Sequence, residues 1–118
     1  MYEIKEITLE NKQQQKRKRL VIEFEDPKMA IVGEFLMADA PLLRGEVLQT
    51  FEQVLTGENA FAKSSGNRCT LMIRPDTTTI KDLFEEMEGV DFYPKYEMET
   101  KKLRDLTAMW LHRLGKFE

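Results

Sequence analysis

At 118 residues, with 42% hydrophobic and 33% charged side chains, the chain has the size and balance of one soluble domain able to bury a core without disulfides or metal. One cysteine, Cys69, and one histidine, His112, exclude an internal disulfide and a Cys/His zinc cluster, and no apolar run approaches the roughly 18 residues of a membrane span. The net charge of -3 conceals a split: without Lys12, Lys16, Arg17, Lys18 and Arg19, the remainder holds 13 cations against 21 acids, or -8.

The N-terminal MYEIKEITLE has acids where a secretion signal needs an apolar centre, which points to a cytoplasmic protein. Ile4, Ile7 and Leu9 among charges make an imperfect alternation, consistent with an edge strand over residues 2–11. Then comes the basic stretch NKQQQKRKRL, read as a mobile hairpin tip over residues 11–19. Leu20, Ile22 and Phe24 alternate with Val21, Glu23 and Glu25, the pattern of a half-buried strand, and Asp26-Pro27 stops it. MAIVGEFLM, residues 29–37, is a nearly unbroken apolar run. Its short length, β-branched residues and Gly33 predict a buried strand, while Asp26 as N-cap and Pro27 at the first helical position support a helix instead.

From Asp39 or Ala40, the spacing of Leu43, Val47, Leu48, Phe51, Val54 and Leu55 predicts an amphipathic helix ended by Gly57. Strands are predicted over residues 60–64 and 68–74, joined by the turn Ser65-Gly66-Asn67, and a third over residues 77–83. Residues 85–98 lack a period and contain Gly89 and Pro94, as a surface loop with a short extended end does. A last helix follows, capped by Thr100, with Leu103, Leu106, Thr107, Trp110, Leu111 and Leu114 on its apolar stripe and Gly115 at its exit. The fold class is therefore α+β, one domain over residues 1–118. A hairpin-built antiparallel sheet carries two amphipathic helices on one face, with Phe51 and Trp110 as anchors between them.

No residue pattern specifies a catalytic site, a metal site or a cofactor. Cys69 falls on the apolar face of its strand, as an inert thiol does, and His112 lies off the apolar stripe near a helix end. Two features suit binding. Lys16, Arg17, Lys18 and Arg19 could hold a nucleic-acid backbone, but no aromatic is interleaved for base stacking and the acidic remainder opposes a polyanion. Glu85, Glu86, Glu88 and Asp91, beside Phe92, Tyr93 and Tyr96, form an acidic and aromatic segment suited to a basic cleft on another protein. A structural homo-oligomer is a third reading.

Four segments, FEQVLTGE, SGNRCTLMI, RPDTTTIKDLF and METKKLRDLTAMWLHRLGKF, resemble a set of small bacterial proteins. These carry a helix ending in a V-L-x-G-like segment, a G-N-x-C hairpin, a D-x-T-x-I strand and a final helix with L-x-x-x-W-L. Covering about the last two-thirds of the chain, the pattern is similar to immunity proteins encoded beside secreted or contact-delivered toxins. The resemblance implies a protein partner, a toxin domain, and carries over no catalytic residue; Lys12 to Arg19 lie outside it.

Overall fold

The computed structural model describes residues 1–117. It opens with two nine-residue strands, β1 (Tyr2–Glu10) and β2 (Lys16–Phe24), paired antiparallel with Tyr2 opposite Phe24 and Glu10 opposite Lys16. The turn is short because Asn11 organises it: its carboxamide oxygen accepts the N–H groups of Gln13 and Gln15, each at 2.9 Å, and Gln14 takes φ +63°. Lys16, Arg17, Lys18 and Arg19 are consequently strand residues, opposite Glu10, Leu9, Thr8 and Ile7. Further along β2, Leu20 and Ile22 are buried, as the alternation requires.

Residues 29–37 are helical, which corrects the predicted strand. Asp26 accepts the N–H of Lys28 at 2.9 Å, and Pro27 begins a 3₁₀ turn over Pro27–Met29. The chain continues as α1 (Ala30–Glu34), a π-helical turn (Phe35–Asp39) and α2 (Ala40–Leu43). Ile31, Val32, Phe35 and Leu36 are fully buried, and a helix buries all four on one side, whereas a strand would send alternate ones to opposite faces. Gly33 faces β2: a Cβ there would lie 3.7 Å from the Ile22 carbonyl oxygen and 3.8 Å from the Phe24 ring, ordinary packing distances.

A single helix from Asp39 to Gly57 does not form either. At Arg44 the backbone turns to φ +45°, ψ -124°, and α3 (Gly45–Leu55) starts anew, burying Val47, Phe51 and Val54. Gly57, at φ +83°, closes it.

A four-stranded antiparallel meander follows: β3 (Ala62–Ser65), β4 (Cys69–Ile73), β5 (Thr77–Asp82) and β6 (Tyr96–Glu99), in that spatial order. The described strands thus form two sheets, not one. Direct pairing of Leu71 with Ile80, Ile73 with Thr78 and Cys69 with Asp82 puts all six side chains on the inner face, while Thr79, Lys81 and Glu97 face outward. β6 runs without a loop into α4 (Thr100–Phe117). Thr100 fixes this junction. Its N–H donates to the Asp76 carbonyl at 3.0 Å, and its hydroxyl lies 2.5 Å from the Arg74 carbonyl oxygen and 2.8 Å from the Thr78 hydroxyl. α4 buries Leu103, Thr107 and Trp110 and continues through Gly115, the predicted exit. The Trp110 indole N–H donates to the Leu36 carbonyl at 2.5 Å, so this ring joins α4 to the π-helical turn. Arg104 pairs with Glu52 between α3 and α4.

Candidate protein-docking surface

The inner face of the four-stranded sheet ends in a charged pair. Asp82, fully buried, occupies the register that Thr78 and Ile80 establish. Burial is the largest influence on its carboxyl and pushes its pKa up. Two 2.9 Å hydrogen bonds from the Arg68 guanidinium and the N–H groups of Tyr93 (3.0 Å) and Phe84 (2.9 Å) outweigh it, so Asp82 titrates below its ordinary value. The same hydrogen bonding raises the Arg68 pKa. Arg68 also stacks 4.1 Å from the centre of the Phe84 ring and 5.5 Å from that of Tyr93, and its Nη1 lies 3.7 Å from Glu34.

A second buried carboxylate stands beside it. Asp39, at the end of the π-helical turn, accepts the N–H of Arg68 at 2.9 Å and of Cys69 at 2.7 Å. The approach is close enough that a Cβ on Gly66 would sit 2.4 Å from Asp39 Cγ, so the β3–β4 turn needs glycine here.

Asp82 holds both ends of the acidic segment. One oxygen caps the 3₁₀ turn Leu83–Glu86 through Phe84; the other takes the N–H of Tyr93. Between these points the chain presents Met87, Val90, Phe92 and Tyr93, four exposed large apolar side chains, with Glu88 and Asp91 also exposed. Phe92 is 46% and Tyr93 39% accessible. A depression of about 180 Å³ lies among Arg68, Asp91, Phe92 and Tyr93.

The residues singled out in this segment divide. Glu88, Asp91, Phe92 and Tyr93 share the exposed loop. Glu85 and Glu86 are drawn to Lys81, at 3.3 and 3.0 Å, and the hydrogen bonds that Lys81 donates, to Glu86 first and then to Glu85, raise the lysine's pKa. Tyr96 belongs to β6, opposite Ile80, and packs half-buried on the core. Arg68, Asp82, Asp39 and the exposed Met87 and Val90 escaped sequence reasoning. Only Asp82 left a sign there, as a charged residue in the inward register of TTTIKD.

Among the basic residues, Lys18 pairs with Glu6 at 3.3 Å, whereas Arg17 and Arg19 have no acidic partner among the described residues. Cys69 is buried with its sulfur 4.0 Å from the Ile31 carbonyl oxygen, and burial first, then Asp39, pushes the thiol pKa far up, which disfavours the nucleophilic thiolate. His112 is exposed on α4. Among the described residues no group of three or more His, Cys, Asp or Glu is placed to hold a metal ion, and no helix is long and apolar enough to cross a membrane.

No family model matches the chain, and no solved structure matches it. An "Immunity protein" of Bacillus cereus is 31% identical over 91 residues, which cover 77% of this chain and 75% of that relative. The chain belongs to the same family as that immunity protein.

Proposed function

We propose that the protein is an immunity-type inhibitor, a non-enzymatic module that binds a toxin domain and covers its basic site with the loop Glu85–Tyr93. The observation that carries this reading is the loop itself: exposed rings and carboxylates, fastened at both ends to one buried aspartate. Aromatic anchors contribute most when they enter the partner without first losing freedom, and an acidic rim speeds encounter with a cationic cleft. The name of the Bacillus cereus relative supports the same role.

Co-expression with the product of the adjacent gene, assayed as a toxin, tests it. The expected result is cell survival and a stoichiometric complex on gel filtration, both lost when Glu88 and Asp91 become lysine and Phe92 becomes alanine. A toxin that neither binds nor is neutralised by the wild-type protein ends the immunity reading; full protection by the triple variant removes only this loop from it.

We infer a second reading from Arg17 and Arg19, which have no acidic partner among the described residues: β2 binds nucleic acid through Lys16, Arg17, Lys18 and Arg19. It requires oligonucleotide affinity that falls steeply with salt and disappears when those four residues become glutamine.

A further inference from the structure

The hairpin β1–β2 leaves a strand edge open above an apolar groove. Met1 accepts the N–H of Glu25, and Asn11 donates to Gln15, each at 3.0 Å, at opposite ends of the ladder. These two bonds fix its phase: odd-numbered residues of β2 bond to β1, and the N–H and C=O groups of Lys16, Lys18 and Leu20 point away from it. No described backbone group meets those three residues on that side. Further along the same edge α1 covers β2, with Gly33 beside the Ile22 carbonyl, so only the distal half is open.

A groove of about 320 Å³ adjoins this open half, near the lower end of the roughly 300–1,000 Å³ typical of ligand clefts. Met37, Trp110, Leu114 and Phe117 supply apolar lining, and Arg17, Lys18 and Arg19 supply charge. Along β2, Arg17 and Arg19 share one face while Lys18 and Leu20 share the other. A complementary strand therefore carries carboxylates on one face and an apolar side chain on the other. A second copy of β2 is a poor occupant, since it brings Lys16–Arg19 against Lys16–Arg19. Nucleic acid is less well matched than peptide: the ring in the groove is Trp110, 1% exposed and offering no face for base stacking.

We propose that the open edge of β2 and the groove beside it dock an extended acidic segment of a partner protein, which adds as a strand and places an apolar anchor against Met37, Leu114 and Phe117, above the buried Trp110. The surface shares no residue with the loop Glu85–Tyr93, and the inference stands without the immunity reading. Strand addition draws affinity from the main chain and specificity from alternate side chains, which is what this edge and groove offer.

Trp110, the chain's one tryptophan, reports occupancy. Titration of the full chain with the capped peptide EVEFEVE is expected to change Trp110 fluorescence saturably at submillimolar concentration. Arg17→Glu with Arg19→Glu should weaken binding at least about tenfold, and Lys12→Glu in the turn by less than about twofold. The wild-type protein alone provides a second arm: the same peptide N-methylated at alternate amides, which cannot pair with the edge, should not bind. Absence of a saturable signal with EVEFEVE, equal binding of the N-methylated peptide, or tighter binding of a 12-residue oligothymidylate each overturns the proposal.

Discussion

The loop Leu83–Lys95 and the hairpin β1–β2 are held in opposite ways. The loop has almost no regular structure, yet a buried carboxylate grips it at Phe84 and Tyr93, and an arginine stacks on both of those rings. The hairpin is regular for nine residues a side, yet its distal half is exposed and rests mainly on its own ladder. Regularity and fixation are separate properties. A surface meant to be pre-arranged can be irregular if its backbone is tied inward, while a strand can be held ready for a partner by leaving its outer bonds unmade.

The largest way to break this contrast is Arg68→Ala. It leaves Asp82 as a buried charge without its counterion, which costs about 3–5 kcal/mol, read from the urea midpoint at constant slope. The ladder amides of the hairpin should keep their exchange protection in conditions where the variant remains folded, because Arg68 touches neither β1 nor β2.

Acid sharpens the comparison. Because the folded chain lowers the Asp82 pKa, its stabilising contribution is complete above the unfolded value of about 3.9 and is lost as pH falls through the folded value. Urea midpoints measured from about pH 6 down to pH 2 should drop, and Asp82→Asn should be less stable at the upper end but flatter below about pH 4. An equally steep acid limb in the variant would assign that slope to other carboxylates.

A smaller effect is expected at the second carboxylate. Asp39→Ala strips the part-buried N–H of Arg68 and the buried N–H of Cys69 of their acceptor and should cost about 1–3 kcal/mol in the same urea assay. Smallest in energy is the exchange of single amides. The Tyr93 N–H, although in an irregular loop, should exchange more slowly than those of Lys16 and Lys18, although these lie in a strand. The reverse order would mean that the Asp82 clasp protects the Tyr93 amide less than an open strand edge protects its own.

Periodicity made part of this architecture legible. β2, the later part of α3, α4 and the turn at Gly66 follow from alternation, helical spacing and turn chemistry, and together they define the α+β class. MAIVGEFLM defeats the reading because an apolar run without polar punctuation has no measurable period, and Gly33, taken as a sign against a helix, sits inside one. Two sheets instead of one lay beyond reach, since alternation identifies a strand's faces but not its neighbours. The exposed loop was visible as composition, through Glu88, Asp91, Phe92 and Tyr93. Its support was not, because Arg68, Asp39 and Asp82 acquire their roles only when three separate segments meet. Tyr96 was grouped with the loop by nearness in sequence, and β6 pairing takes it into the core.

The contact between Asp39 and Gly66 also has a historical side. While the aspartate stays, position 66 admits nothing larger than hydrogen, because a Cβ would sit 2.4 Å from its carboxyl carbon. Any lineage that acquires a side chain in this turn must first lose or shorten residue 39, and with it the clasp on Arg68 and Cys69. The two positions are thus bound to an order of change, so descendants of this chain should vary at 39 before they vary at 66.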